Sequence, residues 1–161
     1  MSAKFILDTS LITAYAQGHD QAVGMVHVIK RQVPGGLLLP VTSVIAARAR
    51  LTIDQREYLD AELLARNPQP GSDEIVVRLG VGYDPVKVDL DGDAQRGISG
   101  TWADLGVDTV PIDVAEAAYW GNRTDRTVLT LAGKYIWRPI LTDLPGVSVE
   151  DLQDGPPENW G

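Results

Sequence analysis

No cysteine occurs among the 161 residues, so neither a disulfide nor a thiolate metal site can form. Histidine is almost as scarce. His19 and His27 lack the His-x-x-x-His spacing of a zinc helix and read as a loop residue and a helix-surface residue. Long hydrophobic runs are missing too: the first apolar stretch, Phe5 to Leu7, stops at Asp8, far short of a signal sequence or membrane span. Together these absences point to a cytoplasmic protein without a membrane partner. Positive charge is in deficit, with 14 basic against 22 acidic residues and a net charge of −8. A dedicated polyanion binder is usually basic, because phosphate neutralisation supplies most non-specific affinity. The deficit weighs less against a nuclease, whose carboxylates are offset by bound cations. No Gly-x-Ser-x-Gly elbow, phosphate-binding glycine loop or dinucleotide fingerprint occurs.

What is present suits one globular domain: 44% hydrophobic and 22% charged residues are ordinary values, and the length allows a real core. Lys4 to Leu7 reads as a buried strand, followed by a helix over residues 11–17 capped by Thr9 or Ser10 and ended by Gly18. Asp20 is placed to cap a second helix. Leu37 to Leu39 reads as a strand closed by Pro40, Thr42–Ser43 start a third helix, and Asp54 with Glu57 resembles a capping box for a fourth. Residues 80–106 lack a sustained period and read as an irregular insertion. Beyond them the pattern predicts a strand over 107–112, a helix over 114–120, a helix from Thr124 or Asp125 to about Tyr135, and a strand over 139–141. A last strand is expected at 147–149. The domain therefore spans 1–150, and 151–161 form a C-terminal tail. Strand–helix alternation with short connections predicts an α/β fold of three layers, α/β/α, around a mostly parallel sheet.

In such sheets, ligands bind beyond the carboxyl ends of the strands. Two predicted strands end in acids, at Asp8 and at Thr142–Asp143, and a third acid, Asp125, opens the helix before the second of them. Three converging carboxylates would suit Mg²⁺ or Mn²⁺, which keep several waters and recruit phosphate. Asp113 also precedes a helix and is the alternative third acid. Each aspartate alone is twice as well explained as a cap or turn residue, so only their joint position carries the argument. Asp89–Leu90–Asp91–Gly92–Asp93 has a calcium-loop start. It has Ala94 where the sixth-position glycine belongs and Gly100 where the twelfth-position glutamate belongs, and reads as a solvated turn.

The segments FILDTSLITAY and Asp125-RTVLTLAGKYIWRPIL-Thr142-Asp143 resemble those of the PIN-domain ribonucleases, over roughly residues 4–65 and 107–150. The resemblance implies a PIN-like fold in which Asp8, Asp125 and Asp143 hold Mg²⁺ or Mn²⁺. Thr9, Ser10 and Thr142 would orient the carboxylates or contact RNA phosphate. It also implies a likeness to the toxin half of bacterial toxin–antitoxin pairs, with an antitoxin as protein partner and a homodimer left open. One departure stands out. The family carries a glutamate on the third helix about six residues after the strand-terminal proline, where this chain has Ala46. Two readings follow: a weak metal-dependent endoribonuclease, or a catalytically inactive PIN-like module used for protein binding or assembly.

Overall fold

A computed structural model describes residues 4–32, 37–64 and 92–152 of the chain. Its strands are β1 (Phe5–Leu7), β2 (Leu37–Leu38), β3 (Thr127–Thr130) and β4 (Ser148–Asp151). They form one sheet in the order β2-β1-β3-β4, and every pairing is parallel. Parallel pairing demands crossover connections, which here are helices covering both faces. The period-2 alternation of β1 divides its side chains accordingly. Phe5 and Leu7 join one core with Leu11, Tyr15, Val26, Leu59 and Leu63, contributed by α1 (Thr9–Ala16), α2 (Asp20–Gln32), α4 (Ile53–Leu59) and the π-turn Asp60–Leu64. Ile6 faces the other way, into a second core with Val114, Ala117, Val128, Trp137 and Ile140. That core lies under α6 (Ile112–Arg123), the π-turn Gly133–Trp137 and α7 (Arg138–Leu141), while α5 (Gly92–Leu105) packs on α6. The fold is thus the expected α/β/α arrangement with a parallel central sheet. Among the described residues, no helix is long and apolar enough to cross a membrane.

Several local expectations are corrected. The helix expected from Asp125 to Tyr135 is instead β3 and a π-turn, and the strand expected over 139–141 is α7. β3 therefore occupies the place beside β1 that residues 140–141 were expected to fill, with Phe5 opposite Thr127 and Leu7 opposite Leu129. Pro139 lies in the first turn of α7, where a missing N–H is no loss because first-turn donors have no intrahelical partner. Of the residues expected to form a strand over 107–112, 107–110 make a turn and Ile112 opens α6. Gly106 adopts φ +101°, and its carbonyl accepts from the N–H groups of Thr109 and Val110. The insertion assigned to 80–106 contains α5, and its first part, 80–91, lies outside the described residues, as do 65–79 and 153–161. Caps shift as well: Asp8 caps α1, His19 Nδ1 accepts from Ala22 N–H at the start of α2, and Thr52 with Gln55 forms the capping box of α4.

Candidate functional site

Asp8 ends β1 at the carboxyl edge of the sheet and is 5% exposed. Its carboxylate is already engaged from within the chain. Oδ1 accepts from the Leu11 N–H at 3.0 Å and from Ser10 Oγ at 2.7 Å, and Oδ2 accepts from the indole N–H of Trp137 at 2.9 Å. Ser10 Oγ in turn accepts from the Leu131 N–H at 2.9 Å and lies 3.1 Å from Thr130 Oγ1. Since the single Ser10 proton goes to Asp8, Thr130 is the donor in that last contact. This chain of bonds ties the end of β1 to the end of β3, and it uses the Asp-Thr-Ser segment as a junction between strands. Next to it, Thr9 Oγ1 donates to Asp113 Oδ2 at 2.5 Å, joining α1 to the first turn of α6.

Asp8, Thr9, Ser10, Asp113, Val114 and Ile136 line a partly open hollow of about 20 Å³. That is room for about one water, whereas Mg²⁺ normally brings several waters with it. Among the described residues, no three His, Asp or Glu side chains gather closely enough to hold a metal ion. With internal donors already on Asp8 and Thr9 on Asp113, the hollow does not fit a hydrated divalent cation.

The other acids expected here lie elsewhere. Asp125 is exposed and precedes β3, two residues before Thr127, which sits level with Phe5. Asp8 is level with Thr130, five residues on, so Asp125 is at the opposite edge of the sheet, roughly 16 Å away along the strand at about 3.3 Å per residue. Asp143 and Thr142 are exposed in the turn after α7, not at a strand end. Asp143 borders a separate cleft of about 280 Å³, which shares Val114 and Ile136 with the Asp8 hollow. Of the acids named from the sequence, the structure brings Asp113 to Asp8; Asp143 stands next door and Asp125 is remote. Ala46, half-buried on α3 (Val41–Ala49), does not line the hollow. No family model matches this chain, and neither a curated protein nor a solved structure matches it.

One acid that sequence reasoning passed over is central to the packing. Glu116, in α6 three residues after Asp113, is fully buried. Oε1 accepts from the Thr42 N–H at 2.7 Å and Thr42 Oγ1 at 2.6 Å; Oε2 accepts from the Val41 N–H at 3.1 Å and the Trp120 indole at 2.9 Å. The N-cap of α3 is Pro40, which supplies no side-chain cap, so a glutamate from another helix satisfies the open donors of its first turn. Its negative charge also opposes the helix dipole there. An acid set in the run VAEAAYW, amid small apolar residues on a helix, was the available signal.

Burial pushes the Asp8 carboxyl above the ordinary carboxylate range, while hydrogen bonds from Ser10, Trp137 and the Leu11 N–H, with the Thr130 hydroxyl behind Ser10, pull it part of the way back. A group whose pKa is raised by folding stabilises the fold below its unfolded pKa, about 3.9 for aspartate. That contribution is lost as pH rises through the folded value. The stability of the native chain relative to Asp8→Asn is therefore expected to fall as pH is raised from about 4. Denaturant midpoints of both proteins across the acid range check this. A native chain that gains on the variant with rising pH would mean that the donors outweigh burial.

Proposed function

We propose that the chain is a PIN-like module that does not cut RNA and acts by binding another protein. The sheet order, with Asp8 at the end of a central strand, is compatible with that resemblance. The observation that carries the non-catalytic reading is the engagement of Asp8 by Leu11, Ser10 and Trp137. A carboxylate ligand needs a lone pair directed at the metal, and three of the roughly four on Asp8 are taken by internal donors beside a hollow with room for about one water. Loss of the family's third-helix acid at Ala46 points the same way. An apolar surface beside the hollow supports the protein-binding half of the proposal.

The test is calorimetric titration with Mn²⁺ together with cleavage of single-stranded RNA substrates in Mg²⁺ or Mn²⁺. The expected result is no saturable binding at sub-millimolar metal and no metal-dependent cleavage. Ala46→Glu alone is expected to leave cleavage absent, because Trp137 still covers Asp8. Metal-dependent cleavage by the native chain, abolished by Asp8→Asn, would instead establish a ribonuclease.

A further inference from the structure

Two of the seven large hydrophobic side chains exposed among the described residues line one cleft, and two more lie close in the chain to residues that line it. Val107, Ile112, Tyr135 and Ile136 are 54%, 44%, 85% and 37% exposed. Tyr135 and Ile136 line the cleft, and Val107 and Ile112 flank its lining segment 109–111. Its walls are mixed, with Leu105, Val110, Val114 and Ile140 alongside Thr109 and Asp143, and the volume is about 280 Å³. That volume stands at the lower limit of cofactor and drug-sized pockets, about 300 Å³, and gives room for one or two side chains of a larger molecule. Contiguous exposed apolar surface with a polar rim marks an interaction site.

Asp143 is the one charged residue among those that line the cleft. The exposed acids Asp104 and Asp108 and the exposed bases Lys134 and Arg138 adjoin lining residues in the chain without lining it themselves. Face-to-face pairing of two copies would bring their Asp143 carboxylates together on molecules that already carry −8 each, so self-association is disfavoured. An incoming cation would meet the Asp143 carboxylate and the open face of Tyr135, a combination that favours arginine.

We propose that this cleft docks a segment of a partner protein presenting an aliphatic or aromatic side chain within two residues of an arginine or lysine. The apolar side chain fills the space between Val110 and Ile140, and the cation pairs with Asp143 beside Tyr135. The proposal rests on the protein-binding reading above and gives it a surface and a partner chemistry.

A displayed library of random linear peptides panned on the full chain tests it. Enriched peptides are expected to carry an apolar–basic pair and to lose affinity about tenfold or more on Asp143→Lys and on Ile136→Lys. Asp125→Lys, an exposed acid at the opposite sheet edge, should leave affinity unchanged, and all three variants should keep the native denaturant midpoint. Enrichment of acidic or charge-indifferent peptides, no enrichment at all, or binding insensitive to both cleft substitutions would overturn the proposal. So would a single-stranded RNA that competes for the cleft where no peptide does. Failure here with RNA cleavage still absent removes the cleft alone. Metal-dependent cleavage removes the non-catalytic reading whatever the peptides do.

Discussion

Glu116→Ala is expected to destabilise the fold by about 3–5 kcal/mol, because it leaves four neutral donors without their charged acceptor. The substitution removes the acceptor for two backbone N–H groups, a hydroxyl and an indole at once; the glutamate is fully buried and its partners Val41, Thr42 and Trp120 are half-buried. Each stranded donor costs on the order of 1–3 kcal/mol. Glu116→Gln is the more telling variant. It keeps the size of the side chain but turns an NH₂ towards donors, because all four partners donate and an amide has one acceptor oxygen. It should therefore recover less than half of the loss. Denaturant unfolding at unchanged m-value reads both effects. A glutamine variant as stable as the native chain would show that α3 does not need the carboxylate.

Trp137→Ala should cost a similar amount, about 3–5 kcal/mol, by emptying the largest fully buried side-chain volume in the described structure. Trp137→Phe separates the two parts of its role. The phenyl ring keeps most of the packing against Ile6, Val128 and Ile140 in the second core, but the N–H to Asp8 Oδ2 is gone. A loss of about 1–3 kcal/mol is expected for Phe, from the carboxylate oxygen left unpaired. Trp137→Phe should also make Asp8 easier to protonate, since one of the bonds holding it ionised has been removed. Equal destabilisation by Phe and Ala would assign the whole effect to the bond, and no loss with Phe would assign it to packing.

The sequence makes the β1 end of the site readable and hides the β3 end. FIL followed by Asp-Thr-Ser is a short apolar run stopped by cap-forming polar residues, and β1, α1 and Asp8 follow from it directly. β3 is four residues, TVLT, within a stretch whose apolar residues also satisfy a helical period; the β-branched threonines and valine were the better guide. Pro139 misled in the other direction, because proline before an apolar run suggests a strand boundary but is equally at home in a helix's first turn. α5 carries glycine at 92, 97 and 100, which depresses its helical propensity. Gly97 is nonetheless required there, since a Cβ would come within 2.2 Å of the Tyr119 ring. Tertiary packing decided that helix, and local preference could not reveal it. Asp125 and Asp143 were linked by their spacing along the chain. With β3 between them, the same spacing sends one to the amino edge of the sheet and leaves the other beyond α7.

The central position of β1 also shapes the order in which the protein can assemble as it is made. β1 pairs with β2 after a gap of about thirty residues, but its other neighbour is far along the chain, with Phe5 opposite Thr127. At a synthesis rate of about 5–20 residues per second, roughly 6–24 s separate the emergence of those two partners from the ribosome. During that interval Ile6 has no Val128 beside it, and the face that will meet α6 and Trp137 stays open. Contacts this distant in sequence also slow the search in a full-length chain, because loop closure must precede any gain from pairing. The nascent amino-terminal half is therefore expected to be the stage most exposed to aggregation.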